Sequence, residues 1–362
     1  MSLNDLGVLQ VEPTDQCNLR CKMCAPHYEG WESVHTIPKG NLSVDLWQQV
    51  LNGFVQEDIR FDHIIFQWLG DPLVHPRIMD LMQMAAKEMQ GRVQYLRLDS
   101  NCILLNESRI SALCSIAKTY SLPILLVCTL DAHTPKVYEE VKGADQLLRV
   151  RKNIHSLLKA RKELGDQCML NIQVQFVVQE GNAHECHSFL YYWQSVFDEY
   201  GGAWHDELMF KRLSVGGGAK GQSQADQLYE QSIHKGGITQ KSYGNLHVLC
   251  WEKRPWQNDD QHQEKRSPCP GLWLTPVIRH DGSLMMCCAD LSGTLQLGSL
   301  HTQSFSQLWF GQEANRHRQN HLKGVFTDAC IHCGGINWYT LTDEIVTQVE
   351  VRSKKYDPQS AV

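Results

Sequence analysis

The sequence predicts an α/β fold in which six βα units curl into an open barrel, followed by a small cysteine-rich module. Two observations carry this expectation. Short β-branched and apolar runs alternate with longer amphipathic stretches over the first 215 residues, the signature of repeated βα units. Cysteines gather at the two ends of the chain, at 17, 21 and 24 and again at 250, 269, 287, 288, 330 and 333.

Six runs read as strands: residues 6–12, 61–69, 92–100, 123–131, 170–179 and 207–215. Amphipathic helices follow the first five. In "RIMDLMQMAAKEMQ" the residues Ile78, Leu81, Met82 and Ala85 recur at i, i+3, i+4 and i+7, which places them on one face. Right-handed crossovers make such strands parallel, with active residues at their C-terminal ends. Residues 216–268 break the pattern. "GGGAKGQSQADQ" and "WQNDDQHQEKRS" read as a bridge with little regular structure. In "LWLTPVIRHDGSLMMCC" the "HDG" between apolar runs predicts a hairpin. The expected division is therefore a barrel over 1–215, a bridge over 216–268, a second module over 269–340 and a tail over 341–362.

Composition narrows the function classes. The 362 residues carry a net charge of -6 with Lys and Arg scattered, which argues against a nucleic-acid partner. No apolar run is long enough to span a membrane and the N-terminus lacks a signal-peptide pattern, so no membrane partner and a cytoplasmic location are expected. Fourteen cysteines in such a compartment point to metal binding, since ordinary thiols stay reduced and unpaired there. The single residues Cys102, Cys114, Cys128, Cys168 and Cys186 read as small buried hydrophobes.

"VEPTDQCNLRCKMC" places Cys17, Cys21 and Cys24 directly after the first strand. Three thiolates hold a 4Fe-4S cube and leave one iron open. With His27 as a fourth ligand they also fit zinc. His27, Tyr28 and Trp31 follow closely enough to reach the mouth or to pack the loop over it. This stretch resembles the signature of radical S-adenosylmethionine (SAM) enzymes, with Met23 before the last cysteine. The resemblance implies a partial (βα)6 barrel of the radical SAM type. It also implies a SAM-binding cluster, reductive cleavage of SAM to a 5'-deoxyadenosyl radical, hydrogen abstraction from substrate, and an external one-electron reductant such as flavodoxin or ferredoxin. Four further strand ends resemble the family's SAM-contacting segments. These are Gly70, Asp71 and Pro72, with Asp where Glu is usual; Ser100 and Asn101, followed by Cys102 where Gly is usual; Thr129 and Asp131; and Val177 with Asn182.

The second group resembles the SPASM/twitch extensions of the same family, with Cys269, Cys287, Cys330 and Cys333 holding a second, auxiliary 4Fe-4S cluster. Spacing after Gly282 favours Cys287 over Cys288, and Cys250 stands in reserve as a ligand or pocket thiol. Two cysteines and a CxxC pair also fit structural zinc. An auxiliary cluster suits the removal of an electron from a substrate radical. The expected function is net oxidation of a small polar substrate, such as a sugar or aminocyclitol alcohol. The alternatives are maturation of a ribosomal peptide by crosslinking or epimerisation, and a zinc-binding module without catalysis. The first strand begins near residue 6 with no leader-binding domain before it, which favours the small substrate. No residue is assigned as a proton acceptor.

Overall fold

A computed structural model describes residues 5–27, 39–214, 222–243, 246–251, 267–291, 293–331, 333, 335 and 339–356. All six strands form: β1 (Asp5–Val11), β2 (Arg60–Phe66), β3 (Tyr95–Ser100), β4 (Ile124–Thr129), β5 (Leu170–Val178) and β6 (Asp206–Arg212). They pair in sequence order and in parallel. Between them run α1 (Val44–Gln56), α2 (Ile78–Glu88), α3 (Glu107–Tyr120), α4 (Pro135–Lys142), α5 (Leu147–Leu164) and α6 (Cys186–Tyr200). Ser43, Asn106 and Thr134 start α1, α3 and α4 by accepting a backbone N–H from the first turn.

The sheet does not close on itself. Among the described residues it has eleven strands, in the order β11-β10-β9-β1-β2-β3-β4-β5-β6-β8-β7. The added strands are β7 (Lys241–Tyr243), β8 (Leu246–Cys250), β9 (Val277–Ile278), β10 (Ser283–Met285) and β11 (Gln296–Ser299). Strand β8 lies parallel to β6 and β9 parallel to β1. The stretch 216–268 therefore holds more structure than its polarity suggests: α7 (Gln222–Tyr229) and the β7–β8 hairpin. One buried face, Leu246, Val248 and Cys250, is enough to seat β8 on the sheet. The hairpin expected around 280–282 is present as β9–β10, turning at Gly282 with φ +81°. It extends the barrel sheet itself.

Side-chain alternation splits the sheet into two chemically different faces. Leu96, Leu98, Ile124, Leu126, Ile172, Val174 and Phe176 pack in the main core, beneath the helices. The alternate positions face the concave side, and many are polar: Gln10, His63, Arg97, Asp99, Gln173, Gln175 and Glu207. A packed barrel fills that space with Val, Ile and Leu. The five solitary cysteines are buried as expected. Among the described residues no helix is long and apolar enough to cross a membrane.

Candidate active site

The triplet sits on a loop leaving β1, clamped from both sides. Asp71 N–H donates to Gln16 O at 2.9 Å. A Cβ on Gly70 would lie 2.3 Å from Thr14 O and 2.5 Å from Gln16 O, so only glycine lets the two backbones approach. On the other flank Arg20 N–H donates to Lys142 O at 3.3 Å and Lys22 N–H to Val141 O at 3.2 Å. Burial pushes the Cys17 thiol up to about 11, with Asp71 adding to it, and Cys24 up to about 12; Cys21 is raised by burial as well. Iron must therefore displace protons from them on binding. His27 Nδ1 lies 3.1 Å from Cys21 O, so its ring braces the loop. Tyr28 and Trp31 lie outside the described residues.

The strand-end residues form two polar latches around this loop. In the first, the Asp71 carboxylate accepts from Leu73 N at 2.9 Å, Ser100 Oγ at 3.0 Å and Asn101 N at 2.7 Å. Burial raises Asp71, although those donors pull against it. Asn101 Nδ2 in turn donates to Asn18 Oδ1 at 2.7 Å, beside Cys17. Pro72 opens the short 3-10 turn that Asp71 caps. In the second latch, Asp131 pairs with Lys142 at 2.7 Å and accepts from Val177 N at 2.7 Å; Asn182 Nδ2 donates to Asp131 O at 2.7 Å and Val177 O at 2.9 Å. Asp131, Asn182 and Lys142 are buried. The Thr129 hydroxyl reaches Ser100 O at 3.4 Å, joining β4 to the first latch. Gln179 Nε2 donates to Met23 Sδ at 3.4 Å. Asp71, Asp131 and Asn182 thus spend their side chains fixing the strand ends and the cysteine loop. Cys102 has φ +61°, the left-handed conformation for which glycine is the usual residue.

Below the loop, on the concave face, Arg97 makes a bidentate pair with Asp99 at 2.6 and 2.7 Å. Gln173 Nε2 donates to Glu207 Oε2. His63 stacks on Tyr95 with ring centroids 4.4 Å apart; burial, with Arg97 adding, lowers its imidazole to about 4. Motif matching passed over these residues, although the alternation in "YLRLDS" places Arg97 and Asp99 on one face of β3.

In the C-terminal part Cys269, Cys287, Cys330 and Cys333 line one small cavity, with Asp290 and His321. Cys288 does not line it. Its carbonyl accepts from Trp68 Nε1 at 2.9 Å, while its thiol stays close enough to Cys269 and Cys333 for their charges to act on it. Cys250 lies at the end of β8, away from that lining. Among the described residues no three His, Cys, Asp or Glu side chains crowd together as they would around a single ion; the ligands of a cube bind separate corners and stand wider apart. Both thiol sets fit iron–sulfur clusters in donor type and number. Buried Glu12 accepts from His280 Nδ1 at 2.7 Å and faces Arg279 at 3.7 Å, tying the β9–β10 turn to the end of β1.

Residues 269–334 match the SPASM family model, described as an iron-sulfur cluster-binding domain. The "Tungsten-containing aldehyde ferredoxin oxidoreductase cofactor-modifying protein" of Pyrococcus furiosus is 29% identical over 175 residues, covering 48% of this chain and 44% of that one. The chain thus spans under half the length of that curated relative. Among solved structures, anSMEcpe with bound AdoMet and Cp18Cys peptide is similar over 97% of this chain and 96% of its own, with 16% identity and a TM-score of 0.55. BtrN in complex with AdoMet and 2-DOIA shares 14% identity over 91% of this chain and 93% of its own, with a TM-score of 0.47. With three thiols on the loop after β1 of an open parallel sheet and a SPASM segment behind it, the chain resembles the radical SAM enzymes that carry a SPASM extension: its matched segment is an iron-sulfur cluster-binding domain, and its fold is similar to that of a protein solved with bound AdoMet.

Proposed function

We propose that this enzyme carries out net oxidation of a small polar substrate bearing a hydroxyl group, such as a sugar or aminocyclitol alcohol. The observation that supports it is the polar concave face. Arg97 and Asp99 are half-buried, with side chains 22% and 15% exposed; taking such a pair partly out of water costs desolvation energy, and charged groups set in a cleft are candidates for holding a polar ligand. When bound, the clusters and SAM supply one-electron chemistry: a radical able to take a substrate hydrogen atom, and a second centre able to accept the electron left behind.

The chain's own residues bind and orient. Cys17, Cys21 and Cys24 hold the first cluster, with Met23 and the backbone of Gly70–Pro72, Ser100–Asn101, Thr129, Val177 and Asn182 around SAM. Asp71 and Asp131 keep those strand ends in register. Arg97, Asp99, Gln173, Gln175 and Glu207 offer paired donors and acceptors to hydroxyl groups. The His63 imidazole stays neutral at ordinary pH, so it can both donate and accept. Cys269, Cys287, Cys330 and Cys333 hold the second cluster.

Replacing Cys330 and Cys333 with alanine tests the reading. SAM cleavage should persist, followed as 5'-deoxyadenosine, while oxidised product disappears; circular dichroism and SAM affinity check that the variant is folded. Product at the parent's rate would reduce the second cluster to a staple and favour epimerisation. Turnover of a peptide with no turnover of polyols would move the substrate class to the peptides.

A further inference from the structure

The helix Gln312–Leu322 grips the turn that carries Cys269. Arg318 and His321 lie three positions apart on it and so share a face. Both reach back to that turn: Cys269 N–H donates to His321 Nδ1 at 3.2 Å, and Arg318 Nε donates to Leu272 O at 2.8 Å. Leu272 and His321 line the cavity shared by Cys269, Cys287, Cys330 and Cys333, so the Arg318 guanidinium stands just behind its wall. Phe326 meets the His321 ring edge to face, with centroids 4.5 Å apart, which fixes the helix against this site.

Arg318 is 1% exposed. Its Nη1 donates to Trp309 O at 2.8 Å and its guanidinium lies 4.8 Å from the centre of the Trp309 ring. Nη2 donates to no described residue, and no described carboxylate pairs with the group. Burial alone lowers its pKa to about 9, so the charge remains at neutral pH. Asp290, which also lines the cavity, accepts instead from Thr294 Oγ1 at 3.0 Å. The buried cation beside the first cysteine set is treated differently, since Lys142 is cancelled by Asp131 at 2.7 Å. A buried charge left without a counter-charge is strongly unfavourable. Four thiolates and iron would supply the one Arg318 lacks: a cube so held is an anion, and it gains a further negative charge when reduced.

We propose that Arg318 sets the potential of the auxiliary cluster: its fixed positive charge balances the anionic cube and favours the reduced state, which fits that cluster to accept an electron. In the reaction proposed above, the electron leaves the substrate radical while its hydroxyl proton passes to water and the carbonyl forms, so one oxidation balances one reduction. Arg318 acts through its field at the cluster and touches no substrate. The proposal rests on Cys269, Cys287, Cys330 and Cys333 holding that cluster.

The test is a redox titration, followed by electron paramagnetic resonance, of the reconstituted full chain carrying Cys17→Ala, Cys21→Ala and Cys24→Ala, where the auxiliary cluster is the one left. Arg318→Gln keeps amide donors and loses the charge. Its cluster should be about tenfold harder to reduce, a fall of about 59 mV for one electron. Arg318→Lys keeps the charge without the planar fork and should stay close to the parent. An unchanged potential in Arg318→Gln would overturn the proposal, and so would an equal fall in Arg318→Lys, which would make hydrogen bonding the cause. Should Arg318→Gln lose the cluster outright, iron analysis of Arg318→Lys decides: iron retained there supports the role of charge, and iron lost in both overturns it. With the three cysteines restored, the first cluster's signal, recognised by its change on adding SAM, should keep its potential in Arg318→Gln; an equal fall there would mean a general disturbance and overturn the proposal. No iron–sulfur signal in the triple-alanine parent would instead sink the assignment of the four cysteines, and the proposal with it.

Discussion

Asp131→Asn isolates the latch behind the cysteine loop. The substitution keeps shape and leaves Oδ1 to accept from Val177 N, a bond of 2.7 Å. It removes the charge facing Lys142 Nζ at 2.7 Å and turns an amide donor toward that ammonium. Lys142 has nowhere else to go, being 2% exposed. Burial alone would push its ammonium down; Asp131 opposes that and leaves it raised. Removing one partner of such a pair costs about 3–5 kcal/mol, because the other charge stays buried and uncompensated. For a chain of this size that is a fall in melting temperature on the order of 5–10 °C. The loop should loosen with it, since Lys142 O anchors Arg20 N, and the first cluster should bind less iron. Calorimetry and iron analysis measure both. Asp131→Asn/Lys142→Met should recover much of the loss, because an apolar side chain of similar volume takes the place of the orphaned charge. A single variant melting within a degree or two of the parent, with full iron, would refute the reasoning.

Gly70→Ala should cut total iron from about eight to about four atoms per chain, because its Cβ meets the backbone of the cysteine loop; full iron would show that the loop gives way. Cys287→Ser should lose the auxiliary cluster's spectrum while Cys288→Ser keeps it, and the reverse result would reassign the ligand. His63 is depressed to about 4, against about 6.5 when unfolded. The unfolded chain therefore binds the extra proton between those values, and stability falls as pH drops from 6.5 toward 4. His63→Gln should flatten that part of the stability-against-pH curve, and identical slopes in parent and variant would remove the assignment.

Much of the barrel was legible because strands and helices carry different periods: "LNIQVQFVV" and "RIMDLMQMAAKEMQ" need no partner to be read. The β7–β8 hairpin was not, since "KSYGNLHVLC" has a single apolar stripe that means little until β6 supplies its other half. The two cysteine groups stand out by their spacing, which does not by itself choose between Cys287 and Cys288 or between iron and zinc. Asp71, Asp131 and Asn182 were found by position, but their use as latches was hidden, because their partners lie tens of residues away and become neighbours only when parallel strand ends are brought side by side. The polar inner face is legible in the alternation of β3 and β5, whose polar positions share one face of each strand.

The two strands that would have met to close a six-stranded barrel each have another neighbour: β9 on β1 and β8 on β6. Cores of this kind leave raw edges that invite pairing with other chains, and here the later part of the polypeptide sheathes both. A fragment ending before residue 241 would keep every residue around the first cluster and yet bare two lines of unpaired backbone, so its failure would be aggregation before it was lost chemistry. The same sheathing sets the width of the gap. Changes in the β8 and β9 segments could open or narrow the way in for a substrate without altering a single strand of the barrel.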